Sequence, residues 1–354
     1  MAERTEYPFD LESLQAAEHL PASKFSLKSQ NCILGIGLTS RCNFNCPFCY
    51  YHRDASKSSP TVMPLELLRQ ILEGIKPLKA VNFALEGEPL CYPHFFDAMD
   101  IAADCAKEIM LCSNGSLLTE KVQARLLQYP LSMLTLSIDG SDEDSYTFMH
   151  RGTSLERFKR HASLAVDNFG NKVFFSSLIC QQNLQSLLGL PRLAAELGVK
   201  SISLTALRSH AGALAQGITE ATPQEQIQCL EALLTEAEQA QVLLFFDSYS
   251  RHEQVRSWIE AHHIKDPADD ILQAGCPMPW FYTSILSSGK LFPCCGDFKP
   301  EPVEGFTLEQ VFGHTYLQRL RALIAAQKYP EACNYCGHGI IRLTHKNPTC
   351  ADGI

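Results

Sequence analysis

The order of apolar and amphipathic segments constrains the fold of this chain more than any other feature of its sequence. Six short strand-like runs follow one another, and segments with helical periodicity lie between them. Such a repeat implies parallel strands joined by right-handed crossovers. The sequence therefore predicts an open or closed α/β barrel, with its chemistry at the C-terminal ends of the strands. The predicted strands cover residues 32–38, 80–85, 108–112, 133–138, 172–180 and 201–207.

Residues 64–75 illustrate the helical periodicity between the first two strands. Pro64 stands where the start of a helix accepts proline. A seventh unit is predicted from a helix at residues 223–241 and a strand at residues 242–246. The apolar stripe of the first helix consists of Leu67, Leu68, Ile71, Leu72 and Ile75.

Composition excludes several classes of protein. The chain has 354 residues, of which 45% are hydrophobic, enough for one large core and a second small one. Its 30 basic and 39 acidic residues give a formal charge of −9, and the basic residues are scattered, so we expect no nucleic acid partner. The first residues lack a basic-then-apolar leader, and no stretch approaches about eighteen apolar residues. We therefore expect a soluble protein with no membrane partner.

Fifteen cysteines in a chain without an export signal are expected to be thiols, in a reducing, cytoplasmic setting. Two groups stand out, one at residues 42–49 and one at residues 276–336, and such clustering points to metal or redox chemistry. Isolated cysteines in apolar contexts behave as small hydrophobes. We expect core packing for Cys32, Cys105, Cys112, Cys180 and Cys229.

The segment CNFNCPFC places Cys42, Cys46 and Cys49 in one loop just after the first predicted strand. When three thiolates hold a cubane 4Fe-4S cluster, the fourth iron keeps an open coordination position, so three cysteines are the number that such a site requires. A zinc site would need a fourth ligand, and His52 is the nearest candidate. Zinc binding and plain structural packing remain the alternatives.

This cysteine spacing, with Phe48 before the last cysteine and Tyr50 after it, resembles the signature of the radical S-adenosylmethionine (SAM) superfamily. The resemblance implies an enzyme in which the open iron binds the amino and carboxylate groups of SAM. It also implies that one electron from the reduced cluster releases methionine and a 5′-deoxyadenosyl radical, which removes a hydrogen atom from a substrate. In such an enzyme the cofactor carries the chemistry and the protein orients it.

Three further segments resemble SAM-binding motifs of that family, and each follows a predicted strand. EGEP is similar to the family's GGEP, with Glu86 in place of the first glycine, and the resemblance assigns the SAM amino group to Glu88. SNG resembles the ribose-side segment, and LSIDG followed by MHRG resembles a pattern whose Ser and Arg reach the ribose and the carboxylate. The residues implied to bind SAM are Glu86, Gly87, Glu88, Pro89, Ser113, Asn114, Ser137, Arg151 and Phe48.

A second cysteine pattern lies in the C-terminal part of the chain. It resembles the twitch domain, the short form of the SPASM domain, which carries one auxiliary 4Fe-4S cluster. Residues 337–349 contain no further cysteine, which favours one auxiliary cluster over two, and Cys350 is a candidate additional ligand. A structural zinc site with the same four thiolates is the alternative. The implied ligands are Cys276, Cys294, Cys333 and Cys336, with Gly289 between the first two.

Several residues near these motifs are chemical candidates. Cys295 follows an inferred ligand and is a candidate donor of a hydrogen atom or thiolate, with a buried thiol as the alternative. Asp297 is a candidate base for a substrate proton, with a solvated turn residue as the alternative. Cys91, just beyond EGEP, is a weaker candidate of the same kind as Cys295. His210 lies in a segment that is a candidate cavity lining, although a loop histidine is favoured there.

Together these resemblances predict an α/β chain built as a partial (β/α)6 TIM-like barrel followed by a small Cys-rich twitch domain. The barrel occupies the larger part of the chain, and the auxiliary cluster domain occupies its end. The predicted boundaries are an N-terminal extension at 1–31, the barrel at 32–250, a connector with a short helix at 251–275, and the twitch domain at 276–354.

The fate of the substrate radical is left open. One outcome is oxidation with the auxiliary cluster as electron acceptor, and another is epimerisation with a cysteine as hydrogen donor. Twitch and SPASM relatives imply a peptide or protein side chain, or a small sugar- or cyclitol-like intermediate, and a reductant such as flavodoxin or ferredoxin. About thirty residues precede the first strand, so we expect no separate peptide-binding module there, which favours a small molecule or an unassisted peptide as substrate. A non-catalytic iron-sulfur carrier and a zinc-binding interaction module are the alternatives from other classes.

Overall fold

The structure is a computed structural model, and its description covers residues 28–49, 60–207, 211–247, 252–262, 278–293, 299–325 and 340–342. These residues form one continuous sheet with helices packed against its outer face. The strands are β1 (Ile33–Ile36), β2 (Leu78–Phe83), β3 (Ala106–Ser113), β4 (Leu131–Ser137), β5 (Val173–Ile179), β6 (Ser201–Ala206), β7 (Leu243–Asp247), β8 (Tyr282–Ile285), β9 (Leu291–Phe292) and β10 (Ile340–Arg342).

The sheet is open and mostly parallel. Its spatial order is β10-β7-β6-β5-β4-β3-β2-β1-β8-β9 among the described residues. Strands β1 to β7 pair in parallel in sequence order, and β8 pairs in parallel with β1 on the other side. Strands β9 and β10 add antiparallel pairs at the two edges. The C-terminal ends of eight parallel strands therefore lie along one rim of the sheet.

Helices connect most of the consecutive strands and cover the outer face. In the part of the chain that the structure describes, no helix is both long enough and apolar enough to cross a membrane. The α-helices are α1 (Leu65–Ile75), α2 (Phe95–Cys105), α3 (Glu120–Leu126), α4 (Glu143–Met149), α5 (Leu155–Phe169), α6 (Leu184–Leu187), α7 (Leu190–Glu196), α8 (Ala211–Ala215), α9 (Pro223–Ala240), α10 (Glu253–Ala261), α11 (Met278–Phe281), α12 (Leu308–Phe312) and α13 (Thr315–Ala325). Short 3₁₀ helices occur at Ser29–Asn31, Pro89–Cys91 and Gly170–Lys172.

The predicted α/β fold is confirmed. Strands β1 to β6 correspond to the six predicted runs, with ends that differ by no more than two residues. The strand predicted at residues 242–246 is β7, which extends the parallel series. Strand β8 falls within the predicted twitch domain and pairs with β1 of the barrel. The domain boundaries themselves stay predictions.

Hydrophobic alternation explains which face of each element is buried. Helix α1 turns Leu68, Ile71 and Leu72 into the core, as its apolar stripe predicts. In β2, Val81 and Phe83 are fully buried in the same cluster of side chains. Because successive strand residues point to opposite faces, this outer layer forms the main core.

The opposite, inner face of the sheet is more polar. Ile33, Ala80 and Met110 form a small apolar cluster there, with Met133 and Tyr282 packed against it. Farther along the strands, partly exposed polar side chains replace these apolar ones. They are Asn82, Cys112, Thr135, Ser137, Ser176, Ser203 and Thr205.

The isolated cysteines mostly behave as predicted. Cys32, Cys105, Cys180 and Cys229 are buried. Cys112 differs, because it is partly exposed on the inner face of β3 rather than packed in the outer core. Its position follows from the period of two along the strand, which places Ile109 and Leu111 outward.

Replacement of Phe83 by alanine tests the outer core. The side chain is fully buried, so we expect F83A to lower the free energy of unfolding by about 3–5 kcal/mol. The matched control is F148A, because Phe148 is 42% exposed, and a change of about 0.5 kcal/mol or less is expected. Urea unfolding followed by circular dichroism measures both variants. Equal losses for the two variants would contradict this assignment of the core.

Candidate functional site

The segment from residue 37 to residue 49, here called the cysteine loop, leaves the C-terminal end of β1. The backbone N–H of Ser40 donates to the carbonyl oxygen of Thr61 at 2.9 Å. The N–H of Glu88 donates to the carbonyl oxygen of Arg41 at 2.8 Å. The loop is therefore attached to two neighbouring segments just before its first cysteine.

Nitrogen groups face two of the three sulfur atoms in the cysteine loop. The N–H of Phe44 donates to Sγ of Cys42 at 3.4 Å, and the side-chain amide of Asn114 lies 3.8 Å from the same atom. On the other side of the loop, Nδ1 of His150 lies 3.7 Å from Sγ of Cys46. Hydrogen-bond donors around cysteine sulfur are typical of metal and cluster sites, where they tune the bound group.

The thiols of the cysteine loop interact with one another. Burial raises the pKa of Cys42 to about 11 against the opposing hydrogen bond from Phe44, and the nearby Glu88 and Cys49 raise it further. Burial raises the pKa of Cys46 as well, and Cys49 and Cys42 add to the effect. Neighbouring thiols of the loop therefore contribute to the raised pKa values of Cys42 and Cys46. Because metal ligands must be deprotonated, cluster binding has to displace these protons.

The donor set fits a cubane that keeps one iron free of protein ligands. Three thiols lie in one loop, N–H groups of Phe44 and Asn114 face the sulfur of Cys42, and a ring nitrogen of His150 lies beside that of Cys46. Among the described residues, no group of three or more His, Cys, Asp or Glu side chains is arranged to hold a metal ion. A cubane differs from a single ion in this respect, because each thiolate binds a different iron atom.

Glu88 is a buried carboxylate that joins the end of β2 to the end of β3. Its Oε1 accepts hydrogen bonds from the hydroxyl of Ser113 at 2.8 Å and from the N–H of Leu90 at 3.2 Å. Its Oε2 accepts from the N–H of Asn114 at 2.8 Å. Only 2% of the residue is exposed. Burial raises the pKa of Glu88 to about 7, although these hydrogen bonds oppose the shift.

The turn between β2 and Glu88 packs directly on the cysteine loop. Gly87 has a φ of +54°, and a side chain at this position would collide with the carbonyl oxygens of Thr39 and Arg41. Glycine is therefore required at position 87, both for the positive φ and for the close contact with these carbonyl oxygens. Leu85 also has a positive φ, 81°, which is unusual for a residue with a side chain and marks a constrained turn.

Glu86 occupies the position where the related motif has glycine, and its carboxylate reaches toward a different part of the chain. Oε2 accepts a hydrogen bond from the N–H of Ser287 at 2.6 Å, in the turn between β8 and β9. The hydroxyl of Ser287 lies 2.5 Å from Oγ1 of Thr61. A side chain at Gly37 would come within 2.5 Å of the same Glu86 oxygen. Glu86 therefore links the turn after β2 to the β8–β9 hairpin.

Asn43 forms a hydrogen-bonded centre that the sequence did not reveal. Its side-chain oxygen accepts from the amide of Asn114 at 3.0 Å, and its own amide donates to the hydroxyl of Ser116 at 2.8 Å. The thiol of Cys91 lies 3.6 Å from the same Asn43 oxygen. The segment after β3 is thereby joined to the cysteine loop, and the candidate Cys91 lies beside that loop.

Ser137 and Arg151 occupy different environments. Ser137 ends β4 and interacts with Cys112, whose pKa burial raises to about 11. The guanidinium of Arg151 donates to Gln216 at 2.9 Å, whereas its carbonyl oxygen accepts from the N–H of Asn45 at 3.2 Å. The backbone of Arg151 therefore contacts the cysteine loop. The role of both side chains toward SAM stays a prediction.

Sequence reasoning missed Asp139 and His150, which the structure brings to the cysteine loop. Both are almost fully buried, and Nε2 of His150 lies 2.9 Å from Oδ2 of Asp139. Phe48, a predicted cofactor residue, packs edge-to-face on the His150 ring at a centroid distance of 6.1 Å. The only signal in the sequence was that both residues belong to the LSIDG and MHRG segments, from which Ser137 and Arg151 were selected.

Several predicted residues lie outside the described part of the chain. They include the whole predicted ligand set of the auxiliary cluster and both candidate catalytic residues, so these assignments stay predictions. The residues concerned are Tyr50, His52, His210, Cys276, Cys294, Cys295, Asp297, Cys333, Cys336 and Cys350.

The part of the chain that contains this site is similar to known proteins. Residues 36–194 match the model of the Radical SAM superfamily. The AdoMet-dependent heme synthase of Methanosarcina barkeri is 28% identical over 169 residues, covering 46% of this chain and 46% of the relative. The 7,8-dihydro-6-hydroxymethylpterin dimethyltransferase of Methanocaldococcus jannaschii is 29% identical over 181 residues, covering 48% of this chain and 34% of the relative. The match thus spans less than half the length of these two relatives.

Solved structures share the fold over most of the chain. Streptococcus suis SuiB bound to S-adenosylmethionine superposes with a TM-score of 0.62 at 17% identity, covering 87% of this chain and 71% of that one. Native anSMEcpe with bound AdoMet gives a TM-score of 0.60 at 14% identity, covering 86% of this chain and 88% of that one. The open, mostly parallel sheet therefore has the same fold as these two proteins.

Replacement of Glu86 by alanine tests the link to the β8–β9 hairpin. The variant leaves the buried N–H of Ser287 without its acceptor, so we expect a loss of about 1–3 kcal/mol in the free energy of unfolding. The control is E73A, because Glu73 is half exposed and forms an ion pair with Arg69 on the surface of α1. Loss of such an exposed ion pair is expected to cost about 0.5 kcal/mol or less. Urea unfolding of both variants provides the measurement. A loss in E86A no larger than in E73A would contradict the link.

The raised pKa of Glu88 predicts a pH-dependent stability. The folded pKa of about 7 exceeds the ordinary value of 4.5, so the folded state binds more protons than the unfolded state between these pH values. The contribution of Glu88 to the free energy of unfolding therefore falls as the pH rises from 4.5 through 7. Between pH 5 and pH 8, we expect wild type to lose about 2 kcal/mol of unfolding free energy relative to E88Q. Urea unfolding of the reduced apoprotein at both pH values measures the difference. A constant difference would contradict the shift.

Proposed function

We propose that the radical SAM domain at residues 36–194 cleaves S-adenosylmethionine reductively and removes a hydrogen atom from a carbon of a substrate. The observation that carries this proposal is the cysteine loop itself. Its Cys42, Cys46 and Cys49 lie in the loop that follows β1, nitrogen atoms face two of their sulfur atoms, and the N–H of Glu88 joins the neighbouring turn to this loop. When bound by these cysteines, a 4Fe-4S cluster supplies the electron that cleaves the sulfonium of SAM.

The protein's own groups bind and orient SAM in this proposal. Glu88 provides the carboxylate for the SAM ammonium group, and its hydrogen bonds with Ser113 and Asn114 fix it in place. Gly87 lets the turn pack closely against the carbonyl oxygens of Thr39 and Arg41, and the backbone of this turn is proposed to border SAM. Ser137 and Arg151 are proposed to bind the ribose and the carboxylate. Phe48 and Pro89 shape the same end of the sheet.

We propose that Cys276, Cys294, Cys333 and Cys336 hold an auxiliary 4Fe-4S cluster in a twitch domain. The β8–β9 hairpin supports this proposal, because Ser284 in β8 is paired with Phe292 in β9. An antiparallel pair returns the chain to the side where it entered, so the segments before β8 and after β9 approach each other. Those segments lead to Cys276 and Cys294 respectively.

The proposed substrate is a peptide or protein side chain, or a small sugar- or cyclitol-like molecule. Partly exposed hydroxyl and amide groups on the inner face of the sheet, such as Asn82, Thr135 and Ser203, offer hydrogen bonds to a polar substrate. We propose oxidation as the reaction, with the auxiliary cluster accepting an electron and Cys295 or Asp297 close to the reacting carbon. A flavodoxin or ferredoxin in a reducing cytoplasm is the proposed reductant.

Anaerobic iron and sulfide determination tests this function. The protein is expected to contain about eight iron and eight sulfide per chain, corresponding to two cubanes, and to form 5′-deoxyadenosine from SAM and dithionite. The triple variant C42S/C46S/C49S should lose about four iron and all 5′-deoxyadenosine formation, because one cubane and its open iron disappear. The control is C91S, which alters a thiol beside the loop and should retain both.

The metal content and the 5′-deoxyadenosine yield together separate the alternatives. Stoichiometric zinc in place of iron, or iron without any 5′-deoxyadenosine, would contradict the proposed function. About four iron in the wild type would remove the auxiliary cluster alone. Incubation with deuterium-labelled peptides and cyclitols then identifies the substrate from the label that reaches 5′-deoxyadenosine. Solvent hydrogen in the recovered substrate would point to epimerisation instead of oxidation.

A further inference from the structure

A buried imidazole lies directly beside the cysteine loop. His150 follows helix α4, and only 2% of its surface is exposed. Its Nδ1 atom lies 3.7 Å from Sγ of Cys46, and its Nε2 atom lies 2.9 Å from Oδ2 of Asp139. One ring therefore connects a thiol of the cysteine loop to a buried carboxylate.

Protein groups fix Asp139 from its other side. Its Oδ1 atom accepts hydrogen bonds from the N–H of Leu178 at 2.5 Å and from the hydroxyl of Ser177 at 3.3 Å. Its carbonyl oxygen accepts from the side-chain amide of Asn183 at 3.1 Å. These bonds keep the second carboxylate oxygen directed at His150. The carboxylate thus lies within ion-pair distance of Nε2, although this nitrogen forms no hydrogen bond.

Aromatic rings enclose the imidazole on several sides. The ring of Tyr146 lies 4.9 Å from it, measured between centroids. The rings of Phe44 and Phe48, both in the cysteine loop, lie at 5.9 Å and 6.1 Å. This enclosure keeps bulk water away from the contact between His150 and Cys46. Hydrogen bonds are electrostatically stronger in such a low-dielectric environment than in water.

We propose that His150, buried beside Asp139, donates a hydrogen bond to the sulfur of Cys46 and thereby raises the reduction potential of the SAM-binding cluster. The inference rests on the proposed function, because it takes Cys46 as a ligand of that cluster. A cluster-bound sulfur acts as an acceptor, so the proposal assigns a hydrogen to Nδ1 of His150, the ring nitrogen that faces Cys46. His150 is thus a positioning and tuning residue, without contact to SAM or substrate.

The direction of the effect follows from charge. Reduction adds one negative charge to the cluster, and a donor at a ligating sulfur stabilises that additional charge. The reduced state therefore becomes easier to reach for a low-potential reductant. The N–H of Phe44, 3.4 Å from the sulfur of Cys42, is placed to act in the same way from the backbone. At Cys46 the proposed donor is the side chain of His150, and substitution can remove it.

A purely structural role for the ring is the competing explanation, and two substitutions separate it from tuning. H150F keeps an aromatic ring among Tyr146, Phe44 and Phe48 but has no donor. H150Q loses the ring but keeps an N–H donor near Cys46. H161F is the matched control, because His161 is also buried and its Nδ1 contacts the carbonyl of Gly115 at 2.8 Å, away from the cysteines.

The experiment is an anaerobic redox titration of the full-length, cluster-loaded protein, followed by electron paramagnetic resonance (EPR). The signal that changes on addition of SAM identifies the relevant cluster and separates it from an auxiliary one. In H150F we expect the midpoint to fall by at least the equivalent of a tenfold change in the reduction equilibrium, about 59 mV for one electron. H150Q should lie closer to wild type than H150F, and H161F should equal wild type.

A midpoint in H150F equal to that of wild type would overturn the inference. A shift of equal size in H150F, H150Q and H161F would also overturn it, because general loosening of the buried region then explains the change. The midpoint potential is measured on the clusters that assemble, so partial loading does not affect the comparison. If H150F holds no cluster, H150L is used in its place. Absence of a SAM-responsive cluster in the wild type would instead contradict the proposed function.

Discussion

The buried carboxylate of Glu88 is the interaction on which the rest of the site depends. Its two oxygens bind donors from Ser113, Asn114 and Leu90, and its N–H binds the carbonyl of Arg41 in the cysteine loop. Parallel strands bring their C-terminal ends to one rim of the sheet, and this residue joins three of the segments that leave it. Burial of the carboxylate raises the pKa of Glu88 to about 7. An ammonium ligand beside it would lower this pKa, because a positive charge stabilises the ionised form.

Much of this arrangement follows from local sequence, because strand and helix periods are local properties. The buried stripe of α1 and the ends of β1 to β6 agree with the predicted pattern for that reason. The cysteine loop was equally visible, since three thiols within eight residues need no partner elsewhere to be recognised. The placement of EGEP and SNG on the same rim then follows from the parallel order of the strands.

What the sequence did not reveal are contacts between distant segments. Glu86 was predicted to bind the cofactor because of its position in EGEP. In the structure its carboxylate accepts a hydrogen bond from the N–H of Ser287, 201 residues away. His150 was passed over in favour of its neighbour Arg151, because only the folded chain shows which of the two faces Cys46, 104 residues away. Such contacts depend on how loops pack, and no period in the sequence encodes them.

The central claim is that one iron of the loop-bound cluster has no protein ligand and accepts SAM. EPR of the reduced, anaerobic protein before and after addition of SAM tests it most directly, because a ligand that binds the iron changes its electronic environment. The account predicts that SAM alters the spectrum of one cluster and that C42S/C46S/C49S abolishes the response. A reduced wild-type spectrum that is identical with and without SAM would contradict the account.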